Sequence, residues 1–185
     1  SGGNYNTVVG DEAGTALTTG DNNVAVGFEA LKTEDAHGYN TALGYQALKV
    51  LNAGAQGYNT AVGYLAGVAV STGINNTIIG AVAGDALSDA DFNVAVGVGA
   101  LGADTKGNKN TAIGHDALGV QNFTSSTDAQ NTAVGYNAGA AMTTGSKNTI
   151  LGSYNGNQGG LDIRTASNNI VLSDGDGNPH MFYRA

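Results

Sequence analysis

The hexapeptide Asn-Thr-Ala-Val-Gly-Tyr at 59–64 recurs letter for letter at 131–136, and no other feature limits the fold of this chain so strongly. A catalytic centre needs one set of groups held once, whereas a stacked architecture needs the same local solution at every level. Aligned on the asparagine, the motif opens at Asn6, Asn23, Asn40, Asn59, Asn76, Asn93, Asn110, Asn131 and Asn148, and a degenerate tenth copy, ending in Ser173 instead of Gly, opens at Asn169. The spacings are 17, 17, 19, 17, 17, 17, 21, 17 and 21 residues. Every excess over 17 falls between motifs, where a loop absorbs it.

Three residues after the motif glycine stands Ala13, Ala30, Ala47, Ala66, Ala83, Ala100, Ala117 or Ala138, with Asn155 the exception, and a turn-rich patch such as Thr18-Thr19-Gly20-Asp21-Asn22 precedes the next asparagine. Each repeat therefore reads as a short β-branched strand, a glycine turn, a second and weaker strand near the alanine, and a polar turn. Stacking puts each strand beside its own copy. The expected fold is all-β: a parallel β-roll, a solenoid with two strands per coil, of about ten coils and a rod roughly 48 Å long at ~4.8 Å per rung. Asparagines then form an internal ladder of side-chain amides. Residues 4–155 are expected to form the roll, and 156–185 a degenerate coil with a β-hairpin that caps it.

Alternate residues of a strand face opposite sides, yet here both rows are apolar. The fourth motif position (Val9, Val26, Leu43, Val62, Ile79, Val96, Ile113, Val134, Leu151, Leu172) is expected inside the coil. The third then points out: Val8, Ala25, Ala42, Ala61, Ile78, Ala95, Ala112, Ala133 and Ile150, with Val171 in the degenerate copy. An exposed apolar row of that length implies a partner, and its many alanines suit the close approach of identical rods, so the first nine of these residues are the expected oligomer interface.

Composition agrees with close backbone packing. Glycine accounts for 30 of 185 residues, and charged residues for only 12% against about 25% in ordinary domains. A net charge of −8 without a basic cluster argues against nucleic acid as a partner. With no cysteine, disulfides and thiolate metal sites are excluded. No apolar run approaches the ~20 residues of a membrane helix, so membrane insertion is not expected. The start, Ser1-Gly2-Gly3, lacks an initiator methionine and reads as that of a fragment.

Asn-Thr-Ala-Val-Gly followed by Tyr-x-Ala resembles the head repeat of trimeric autotransporter adhesins, and equally repeats of bacteriophage tail fibres that precede an endosialidase-type chaperone domain. The resemblance covers about residues 4–155 and implies a left-handed parallel β-roll assembled as a homotrimeric rod. The stretch Ser167–Pro179, SNNIVLSDGDGNP, is more similar to phage structural proteins than to adhesin necks. The expectation is thus a structural attachment protein of a virion tail fibre that contacts a host-surface glycan or protein. The alternatives are an adhesin head on a bacterial surface and an ice-binding solenoid.

Candidate chemistry is sparse. Asp174-Gly175-Asp176-Gly177-Asn178 opens like a calcium loop, but Pro179 and Ala185 stand where an EF-hand needs Gly and Glu, so a turn is expected. His37, His115 and His180 have no zinc spacing. No nucleophile, base and orienter set can be drawn, so neither enzymatic activity nor a cofactor is expected. Tyr45, Tyr64 and Tyr136, after the motif glycines, are possible glycan contacts, in an aromatic edge with Phe28, His115, Tyr39, Tyr58 and Phe92. A threonine row (Thr7, Thr41, Thr60, Thr77, Thr111, Thr132, Thr149) raises ice binding, but by the assignment above it faces inward. The longer inserts, Gly114 to Asn131 and Gly152 to Asn169, are the places to look for contact loops.

Overall fold

The computed structural model describes residues 3–184, and these form an all-β parallel solenoid of about ten turns without a helix. One three-residue strand per coil builds the main sheet: Thr7–Val9, Val24–Val26, Thr41–Leu43, Thr60–Val62, Thr77–Ile79, Val94–Val96, Thr111–Ile113, Thr132–Val134 and Thr149–Leu151. Asn169–Ser173 continues the sheet in parallel, and Pro179–Arg184 pairs with it antiparallel as the eleventh strand. The register is that of the motif, position on position, as in Ala95 beside Ala112 and Ala112 beside Ala133. Inserts of two or four residues leave it untouched because they sit in the loops. Two small further ladders lie in the loops, Gly107–Asn108 with Thr127–Asp128 of the next coil, and Asn157–Gln158 with Leu161–Asp162.

The two apolar rows lie the other way round from the expectation. The third position is the interior: Ala25, Ala42, Ala61, Ile78, Ala95, Ala112, Ala133, Ile150 and Val171 are all at most 1% exposed. Val8, 43% exposed on the first rung, also points inward, since an added carbon on Gly14 would meet its methyl groups. The expected interface row is therefore core, and the fourth position faces out, with Leu43 43%, Ile79 38%, Ile113 38% and Leu151 42% exposed. The reason is volume. Facing the strand across the coil are Ala30, Ala47, Ala66, Ala83, Ala100, Ala117 and Ala138, all fully buried; most rungs take alanine opposite them, and the larger Ile78 and Ile150 are admitted where Gly67, Gly84 and Gly139 leave space.

What space remains is filled by one large side chain in most coils and by two, Leu48 and Leu51, in the third. Leucine follows the buried alanine at Leu31, Leu48, Leu101 and Leu118; where glycine follows instead, a large residue three places on does the filling, as Leu17, Val70, Leu87 and Met142. An added carbon on Gly84 would lie 2.8 Å from Leu87 Cδ1, and one on Gly139 2.8 Å from Leu118 Cδ2. The interior is thus packed against its own neighbours up and down the rod.

The second side of the coil is a ladder of turns and not the expected second strand. Gln46 and Leu48 have φ of 54° and 49°, and Glu29 and Leu31 53° and 51°, so every other residue there is left-handed and no extended run can form. Rung-to-rung bonding persists all the same: Leu31 N–H donates to the Ala47 carbonyl at 3.0 Å, and Leu48 N–H to Ala66 at 3.1 Å. Between the two walls stands the motif glycine. At Gly97, φ is 138° and an added carbon would lie 2.3 Å from the carbonyl oxygen of Gly114, so a side chain would meet backbone. Ser173 replaces glycine only in the last copy, where no further motif follows.

Candidate interaction face

The outward face of the main sheet consists of the second and fourth motif positions. Threonine or valine stands in one row and valine, leucine or isoleucine in the other, and the antiparallel strand extends both, with Tyr183 beside Ile170 and Met181 beside Leu172. None of the 22 positions across eleven strands is charged. Two rows spaced by two residues and eleven strands at ~4.8 Å make a strip on the order of 600 Å², the upper end of what monomers expose. The threonines lie on this outward side, reversing the inward placement expected for them. The reversal follows from the buried third position, because Thr60 and Val62 must lie opposite Ala61.

Charges lie in the loops before the motif asparagines, as in the Lys106–Asp89 and Lys109–Asp128 pairs, and on the turn wall of the first three coils. Glu29 accepts from Lys32 Nζ, Lys49 Nζ and Gln46 Nε2, each at 2.6 Å, and Lys32 also pairs with Glu12. These lysines hold the Glu29 carboxyl down at about 2. Over these first three coils, opposite charges stacked coil over coil let the turn wall meet water without mutual repulsion.

Asparagine does more than the amide ladder expected of it. Each Oδ1 accepts the backbone N–H of the next motif asparagine, from Asn23 on Asn6 at 2.8 Å to Asn169 on Asn148 at 3.0 Å. In seven of the ten copies Nδ2 donates to a carbonyl near the end of the same coil, as Asn76 to Ala90 at 2.8 Å and Asn93 to Gly107 at 2.9 Å. One side chain therefore ties its coil shut and binds the next, which explains why no other residue type serves.

The aromatic residues form stacks along the rod. Phe28, Tyr45 and Tyr64 lie ring on ring at 5.3 Å, Tyr39 on Tyr58 at 5.1 Å and His115 on Tyr136 at 5.4 Å. Of the three possible glycan contacts, Tyr45 has both ring faces covered and offers only its edge. Tyr64 and Tyr136 each keep one face clear of another ring, because Ala81 and Ser153 occupy the next rungs.

The histidines face three different carboxylates: His37 Nδ1 and Glu34 at 3.4 Å, His115 and Asp116 at 3.1 Å, His180 and Asp174 at 3.0 Å. Asp174 also accepts the backbone N–H groups of Asp176 and Asn178, the arrangement of a side-chain-stabilised turn. The His180 ring and these N–H groups hold its carboxyl at about 2. Searching for histidine pairs missed one cluster, in which ligand atoms of Glu34, Asp35 and His37 all lie within 4.8 Å of one another. Its signal was present as the local sequence Glu-Asp-Ala-His. A second buried carboxylate, Asp104, accepts from Gly107 N–H, Phe123 N–H and Gln121 Nε2, and burial pushes its carboxyl up. A shallow depression lined by Thr143, Asp162, Arg164 and Thr165 holds the Asp162–Arg164 ion pair.

No helix among the described residues is long and apolar enough to cross a membrane. Comparison of the chain with protein-family models, with curated proteins and with solved structures returned no match.

Proposed function

We propose that this chain is a structural and attachment segment of a bacteriophage tail fibre, a rigid β-solenoid that assembles as a homotrimer through the outward threonine and valine face. The observation that carries the reading is the uncharged face running through all eleven strands, with every charge placed in the turns and loops around it or at the end of the last strand. Such a strip, joined by aromatic margins, approaches the roughly 800 Å² per partner of a standard interface. Three-fold symmetry comes from the resemblance of the repeat to adhesin heads and phage fibres, and the choice of a phage from the segment Ser167–Pro179. In this reading the hairpin ending at Arg184 caps the rod. The work of the protein is stiffness and multivalency: three identical edges on one rod bind a host-surface glycan or protein weakly and still hold. The head of a bacterial adhesin is the closest alternative.

The test is mass in solution. Multi-angle light scattering should give three chains for the wild type, and Ile79→Asp with Ile113→Asp should yield a single folded chain. A wild type that stays monomeric and folded in dilute buffer would remove the proposal. One observation favours a second reading, since threonines turned outward on a flat, regular sheet are what an ice-binding face requires. Thermal hysteresis in a monomeric wild type would establish that function instead.

A further inference from the structure

We infer that Glu34, Asp35 and His37 form a binding site for a divalent cation of the zinc class, a site independent of the fibre reading. Two side-chain polar atoms among the described residues are buried without a hydrogen-bond partner, Asn169 Oδ1 and His37 Nδ1. The first has a plain cause: Asn169 is the last of the asparagine ladder, so no further asparagine donates to it. The second has only the Glu34 carboxylate near it, an ion pair if the ring is protonated and an unfilled contact if it is not. The His37 nitrogen lies 3.4 Å from Glu34 Oε1 without the geometry of a hydrogen bond, beside a carboxylate that is itself fully buried.

A contrast within the chain gives this meaning. Glu34 and Asp104 occupy equivalent places, each four residues after a buried alanine, and each accepts two backbone N–H groups: those of His37 and Ala53 for Glu34, those of Gly107 and Phe123 for Asp104. At Asp104 the remaining need is met from the next coil by Gln121 Nε2 at 2.6 Å. At Glu34 the next coil presents Leu51 in that place, and the chain supplies an imidazole where the other site has Gly107. One carboxylate is closed by the protein, whereas the other faces a second ligand atom across a gap.

The gap has the size of a metal site. Ligand atoms at ~2.1 Å from a tetrahedral zinc stand about 3.4 Å apart, matching the 3.4 Å between His37 Nδ1 and Glu34 Oε1. Asp35, exposed on the same loop, brings a third ligand within 4.8 Å of the others. One nitrogen and two carboxylate oxygens, with water in a fourth place, suit zinc, whereas magnesium prefers an all-oxygen octahedron. The two backbone donors that hold Glu34 would fix its orientation from behind.

Isothermal titration of the chelator-treated full chain with zinc chloride should show one ion per chain, undisturbed by excess magnesium. His37→Ala and Asp35→Asn should each weaken it at least tenfold, while His115→Ala with His180→Ala should leave it unchanged. Asp35 is exposed and His37 partly so, and circular dichroism checks that both variants fold. In nitrogen-15 NMR, zinc should move His37 Nδ1 to the metal-bound range and leave Nε2 as the protonated nitrogen. Absence of uptake, or uptake that survives His37→Ala and Asp35→Asn, overturns the site and leaves His37 as an ion-pair partner of Glu34; neither result bears on the oligomeric state.

Discussion

The strand wall and the turn wall of each coil are both repetitive, both bonded rung to rung, and both lined inside by alanine, yet they treat water differently. Outward from the strands stand Thr60 and Val62 or Thr111 and Ile113; on the turns stand Glu12, Glu29, Lys32 and Lys49 in an ion-pair cluster. Since the interior asks the same of each wall, the difference outside is not a requirement of the fold. It is this difference on which the proposed assembly through the strand wall rests.

The largest expected effect would show where the walls are alike. Ala95→Asp on the strand wall and Ala100→Asp on the turn wall each put an unpaired carboxylate into an alanine-lined interior, and each should cost about 4 kcal/mol or prevent folding, as read by urea denaturation. A markedly milder loss at Ala100 would mean that the turn wall can open and that the walls differ inside as well.

At the seam between the walls the expected loss is smaller and depends on position. Asn93→Ala removes a side chain that accepts from Asn110 N–H, donates to Gly107 and contacts Asn76. With buried partners left unpaired, it should cost about 3 kcal/mol. Asn169→Ala, at the end of the ladder where Oδ1 has no donor, should cost about 1 kcal/mol. Equal losses at the two sites would show that the ladder does not couple the coils.

The smallest effect belongs to the turn wall alone. The Glu29 carboxyl lies at about 2 in the fold against its ordinary 4.5, because the lysines favour its charged form. Its contribution to stability is therefore fully present above pH 4.5 and fades as pH falls toward 2. Thermal melts of the wild type and Glu29→Gln should differ at pH 6 and draw together near pH 2. Curves that stay parallel would remove the lysine cluster as a support of this wall.

Much of the architecture was legible because a solenoid writes its fold as a period. The asparagine spacing located ten coils, the insert lengths located the loops, and the degenerate final copy marked where the parallel sheet gives way to a hairpin. Less legible was the turn wall, since the left-handed backbone at Glu29, Leu31, Gln46 and Leu48 is carried by residues that do not announce it as glycine would. The Glu34, Asp35 and His37 cluster was contiguous in sequence, yet nothing local tells that Glu34 is buried while Asp35 is not.

By itself, the sequence determined that identical positions stack and that each strand has two apolar rows. Only the tertiary structure decided which row is inside. Alternation specifies that Ala95 and Val96 point apart but not which of them points inward. That choice depends on the wall across the coil, where most rungs have room only for alanine and Ile78 and Ile150 fit against Gly67, Gly84 and Gly139, so the uniformly large fourth row goes outward.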